Sequence, residues 1–110
     1  MKEIVKGSDI IATIKLKGVE VGNLTYLSIK VATDGLNIFE GSLSDGAIVP
    51  SEDIGVYLVM ITGDSTKLMA NGLLIFTAEY GLSNSLFPDS VQDIVINGNF
   101  CIVLVDKYIE

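Results

Sequence analysis

The chain has 110 residues and a net charge of −7, with fourteen acids, seven lysines, no arginine and no histidine. That balance repels a phosphate backbone or an anionic membrane surface and lacks the guanidinium fork that reads guanine edges, so neither nucleic acid nor membrane is an expected partner. With no histidine and one cysteine, Cys101, the chain also lacks the parts for Ser-His-Asp or Cys-His catalysis and for a zinc centre.

The first clear element is Ile10–Leu16, where Ile10, Ala12, Ile14 and Leu16 alternate with Ile11, Thr13 and Lys15. Alternation of this kind predicts a half-buried strand. Thr25–Val31 repeats the pattern, with Leu27, Ile29 and Val31 inward and Tyr26, Ser28 and Lys30 outward. Leu36–Leu43 is a weaker strand, because Glu40, Gly41 and Ser42 dilute it. Ala47–Val49 is short and stops at Pro50, which has no N–H for a ladder.

A short helical turn is expected near residues 51–54, with Ser51 placed to cap it and Glu52 and Asp53 at its start. Gly55–Thr62 is apolar on both faces and reads as a strand that is central or covered on both sides. Residues 63–72 read either as one loop or as a short strand Ser65–Met69 between two turns. Leu73–Tyr80 is a strand under either reading, and Gly81–Asp89 a polar turn. Val91–Ile96, Asn97-Gly98 and Asn99–Asp106 read as a hairpin, since Asn-Gly tolerates the positive φ of a type I′ turn.

Short strands separated by Gly22-Asn23, Asp34-Gly35, Asp45-Gly46, Gly63-Asp64 and Asn71-Gly72 indicate an all-β sandwich. One domain over residues 1–110 suits the length, since a single core serves about 100–200 residues. Cys101 lies in the apolar run Phe100–Val105 and is expected to be a small buried hydrophobe. Charged residues interrupt the opening M-K-E-I-V-K-G-S-D, and no apolar run approaches the ~20 residues of a membrane helix. The expected place of synthesis is therefore the cytoplasm.

Hydrophobic residues make up 49% of the chain and the mean hydropathy is +0.53. A small domain has little interior in which to hide them, and contiguous exposed apolar area marks a contact surface. A homo-oligomer or an assembly component is the expectation. The exposed tyrosines and the outer faces of Val56–Ile61 and Phe100–Val105 are the expected contact material.

Asp53-Ile54-Gly55-Val56-Tyr57 has the D-x-G/A-x-Y spacing of the tyrosine corner of immunoglobulin-like sandwiches, in which the Tyr hydroxyl bonds to backbone a few residues upstream. The order of parts around it is also informative: Lys6-Gly7-Ser8-Asp9 before the first strand, Leu24-Thr25 opening the second, and Asp45–Val49 leading to Pro50–Asp53 and Tyr57. This order, with Phe87-Pro88-Asp89 before the end, resembles the N-terminal immunoglobulin-like domain of phage baseplate upper proteins and related small tail-associated proteins of Bacteroides phages and prophages. Leu73-Leu74 stands where those relatives carry a tryptophan-arginine step.

The resemblance implies an immunoglobulin-like antiparallel β-sandwich of about seven to nine strands. It implies a structural role in a phage tail or baseplate, hence a place in the virion, with no catalytic residues. Asp53, Gly55 and Tyr57 would be structural. The alternative is a ligand-binding module for carbohydrate or a cell-surface molecule, using loops at one end of the sandwich.

No cofactor is expected. Glu79 and Asp89 are the acids to inspect for paired-carboxylate hydrolysis, and Asp34, Asp45 and Asp89 for calcium. Gly63-Asp64-Ser65-Thr66-Lys67 shares letters with a phosphate loop but lacks its glycine pattern.

Overall fold

A computed structural model describes residues 1–106. Eight strands occur in the order β1 Lys2–Val5, β2 Ile10–Lys15, β3 Leu24–Ala32, β4 Phe39–Ser42, β5 Ile48–Pro50, β6 Val56–Ile61, β7 Gly72–Ser83 and β8 Val91–Val105. One sheet has the order β1-β8-β7-β3-β4 and the other β2-β6-β5. The all-β sandwich expected from the alternating runs is therefore the fold.

Its strand order is immunoglobulin-like. The row β2-β6-β5 takes the places of strands B, E and D, and β4-β3-β7-β8 those of C′, C, F and G. The first strand departs from the constant-type arrangement. Instead of lying beside β2, β1 crosses to the larger sheet and pairs with β8 in parallel, Lys2 opposite Ile102 and Val5 opposite Val105. The sandwich is thus antiparallel except at that edge.

Alternation fills the space between the sheets. Ile10, Ala12, Ile14 and Leu16 meet Tyr57, Val59 and Ile61 on one side, with Leu27, Ile29, Val31, Leu74, Ala78, Ile102 and Leu104 on the other. Strand β6 is central in its sheet, one of the two placements its apolar run allowed, with one face against the core. Tyr57, Val59 and Ile61 are buried, whereas Val56, Leu58 and Met60 are half-buried on the outside.

Several elements differ from the expectation. Residues 51–54 form no helix. They close the β5–β6 hairpin, with Ser51 N–H donating to the Val56 carbonyl and Val56 N–H to the Asp53 carbonyl. The Ser51 hydroxyl accepts from Asp53 N–H, a local bond that competes with helix. The helical turns fall elsewhere, a 3-10 turn at Val21–Asn23 and α1 at Gly63–Thr66. The long weak strand shrinks to β4, and β7 continues to Ser83 before the chain turns.

Asn97-Gly98 is not a turn. Strand β8 runs straight through it, with Asn97 opposite Thr77 and Gly98 opposite Phe76. The glycine serves packing instead of reversal. A Cβ on Gly98 would lie 2.9 Å from the Phe76 ring, which stacks on Phe100 with centroids 4.7 Å apart. The irregularity comes later. Asn99 Oδ1 accepts from Cys101 N–H, Cys101 takes φ 56°, and the register slips between Leu73 and Ile75. This bulge turns Cys101 outward, so the thiol is exposed and not part of the core.

Candidate functional site

The residues singled out for a tyrosine corner lie on the β5–β6 hairpin and the start of β6. The Tyr57 ring is buried, and its hydroxyl donates to the Val19 carbonyl at 2.9 Å. The bond joins β6 to the loop after β2 and does not return to a residue just upstream. Its strand also sits in the E position, whereas the corner of antibody-type domains lies at the start of strand F. Gly55 is held at φ 81° and its carbonyl accepts from Leu16 N–H at 2.6 Å. Asp53 is exposed and contributes backbone to the hairpin loop.

Beside this hairpin lies an open cleft of about 260 Å³ bordered by Glu20, Pro50, Glu52, Asp53 and Tyr57. Ligand pockets more often measure about 300–1,000 Å³ and enclose their occupant. Burial, and then the charge of Glu20, raises the Tyr57 hydroxyl above the ordinary phenol range and keeps it a donor.

The E–F corner is fastened by a residue the sequence did not reveal. Thr66, in α1, is fully buried. Its hydroxyl accepts from Gly7 N–H at 3.0 Å and donates to the Ser8 carbonyl at 3.0 Å. Next to it, Asp9 Oδ1 accepts from Gly63 N–H at 2.7 Å. The segment inspected for phosphate is thus a structural knot, and its Lys67 pairs with Asp64 at 3.2 Å.

The acids inspected for calcium do not converge. Asp34 Oδ1 accepts from Leu36 N–H, Asp89 Oδ1 from Val91 N–H, and Asp45 Oδ1 from Ser42 and Ala47 N–H, each within its own turn. Among the described residues, no three His, Cys, Asp or Glu side chains cluster to hold a metal ion. Glu79 meets Asp93 instead of Asp89. The Tyr26 hydroxyl donates to Asp93 at 2.8 Å and lies 3.3 Å from Glu79, with its ring over Gly81. Partial desolvation, then the Asp93 bond and the two charges, push that phenol far above its usual range. The trio sits on an exposed sheet face with no enclosing walls.

A further unexplained feature is apolar. On the outer face of the three-stranded sheet, the register aligns Ile11 with Met60 and Ala47, and Leu58 with Val49, with Val56 beside them. Ile11 is 68% exposed. Among the described residues no element covers this face, which includes the outer side of β6 expected to make contacts. On the outer side of Phe100–Val105, Cys101 is exposed and Val103 and Val105 are half-buried, while Phe100 packs against the core. Of the tyrosines, Tyr57 and Tyr80 are buried, Tyr26 is half-buried, and Tyr108 lies outside the described residues. A second apolar feature is the β7–β8 tip, where Leu86 is 89% exposed beside Phe87.

Among the described residues no helix is long and apolar enough to cross a membrane. The chain matches no protein-family model, no curated protein and no solved structure.

Proposed function

We propose that this domain is a non-enzymatic structural subunit that works by packing against other protein subunits, with a phage or prophage tail or baseplate as its setting. The observation that carries the reading is the apolar outer face of β2-β6-β5, formed by Ile11, Ala47, Val49, Val56, Leu58 and Met60. A contiguous patch of this kind on a small domain marks a protein contact. The setting rests on the order of motifs from Lys6 to Tyr57, and the immunoglobulin-like strand order is compatible with it. In this reading the domain is made in the cytoplasm and ends in the virion.

Sedimentation equilibrium over a concentration series tests the proposal. The expected result is a mass above the 11.8 kDa monomer, lowered by Leu58→Lys while far-UV circular dichroism stays unchanged. A strictly monomeric wild type overturns it.

A further inference from the structure

The strand missing from the smaller sheet leaves a gap with a definite shape. In a constant-type sandwich strand A lies beside B, but here β1 is paired with β8 and β2 pairs with β6 alone. Leu16 N–H donates to the Gly55 carbonyl, which fixes the phase of the ladder. The even-numbered residues of β2 bond to β6, so the N–H and C=O groups of Ile11, Thr13 and Lys15 point away from it. All three residues are exposed, and no described strand receives those groups.

The other free edges are guarded in the usual ways. Strand β5 has three residues and ends at Pro50, β4 has four and contains Glu40 and Gly41, and β1 begins with Lys2 and Glu3. Strand β2 is the longest of these edges, with neither proline, glycine nor bulge.

We infer that the edge of β2 pairs antiparallel with β2 of a second copy, about a two-fold axis at Thr13. Phase and parity favour this occupant. With Thr13 opposite Thr13, the outward-pointing groups of Ile11 meet those of Lys15 of the second copy, and every free donor finds an acceptor. Odd-numbered residues then stay on the outer face of both copies, so the apolar faces join across the seam. The same register sets Asp9 opposite Lys17 of the second copy at both ends. It also lays the Lys15 stem along Ile11 and makes a central Thr–Thr pair, each a favourable cross-strand combination. A strand shared this way gives a continuous six-stranded layer, β5-β6-β2 and its symmetry mate. Isologous two-fold pairing also closes on itself and leaves no growing edge.

This inference deepens the assembly reading and rests on it, and the test separates the two. In a Cys101→Ser background, Thr13→Cys places two thiols across the axis. Hydrogen-bonded antiparallel partners have Cα atoms about 5.5 Å apart, within disulfide range. The expected result is a covalent dimer under mild oxidation, absent for Lys30→Cys on the other sheet. Ile11→Lys, which sets lysine against Lys15 of the second copy, is expected to halve the equilibrium mass without changing the circular dichroism. Thr13→Pro removes only an N–H directed away from β6 and is expected to do the same. An oligomer whose mass ignores Ile11→Lys and whose Thr13→Cys form does not crosslink overturns the edge pairing but leaves the assembly reading standing. A wild-type monomer overturns both.

Discussion

The hydroxyl of Tyr57 and the carbonyl of Val19 are joined by a 2.9 Å hydrogen bond across 38 positions of chain. The bond ties the central strand of the smaller sheet to the loop that leads from β2 toward the larger one. Tyr57→Phe removes the donor and strands a partly buried carbonyl, so a loss of about 1 kcal/mol in urea unfolding is expected. Because burial raises the folded-state pKa of Tyr57 above its usual 10.0, the folded form holds its proton more tightly. Stability is thus full below that pH and declines as pH rises above it. The decline is expected to be shallower in Tyr57→Phe, measured by thermal melts in alkaline buffer.

Thr66 is a stricter case, since its hydroxyl makes two bonds to the Gly7-Ser8 turn at once. Thr66→Val keeps the shape but leaves Gly7 N–H and the Ser8 carbonyl without their partner. A loss of about 1–3 kcal/mol follows. Thr66→Ser retains both bonds and gives up one methyl, for about 0.8 kcal/mol. Urea titrations of the two variants check the order, and equal losses would mean that packing, not bonding, holds the corner.

Two glycines with nearly the same φ are expected to respond differently to alanine. Gly46, at φ 84°, has open space where a Cβ would go, so Gly46→Ala meets only left-handed strain, about 1–2 kcal/mol. Gly55, at φ 81°, would place its Cβ 2.5 Å from the Leu16 carbonyl oxygen. Gly55→Ala is expected to cost clearly more, because that oxygen is already held by the Val19 N–H at 2.9 Å. Paired chemical denaturation curves test the contrast.

Acid stability is expected to fall below the carboxylate range. Backbone bonds from Ala47 and Ser42 hold Asp45 below its usual 3.8, and the hydrogen bond from Lys6, then one from Asn71, does the same for Asp106. A depressed folded-state pKa adds stability above the unfolded value and loses it as pH drops through the folded one. The gap in melting temperature between wild type and Asp45→Asn is therefore expected to narrow as pH falls below 3.8.

Cys101 is expected to react with a thiol reagent in the native state, without denaturant, because the bulge exposes it. Labelling that requires unfolding would mean that the thiol is covered.

The sandwich was legible wherever one face of a strand is buried and the other wet. Ile10 to Leu16 and Leu27 to Val31 carry that alternation, and both strands stand where it put them. What was not legible depends on partners far away in sequence. Asn97-Gly98 reads as a turn until Phe76, opposite on β7, is seen to lie over the glycine. Thr66 has no local signature, because Gly7 and Ser8 make it necessary. Strand β1 is short and half polar, and only β8 beside it draws it into the sheet. The turn of Cys101 had a faint signal in Asn99 two residues before it, since Asn bonds readily to backbone two positions on. For the apolar outer face of the smaller sheet, the run Val56–Ile61 was visible in the sequence, while its alignment with Ile11, Ala47 and Val49 needed the register.

The parallel pair at the sheet margin bears on how the molecule is made. Lys2 pairs with Ile102, so nearly all of the described chain lies between the two partners. Closing so long a loop carries a large entropic cost before any reward, and folds dominated by such distant pairings form slowly. The edge of the larger sheet is therefore expected to close late in folding, with β1 docking only once β8 is in place beside β7.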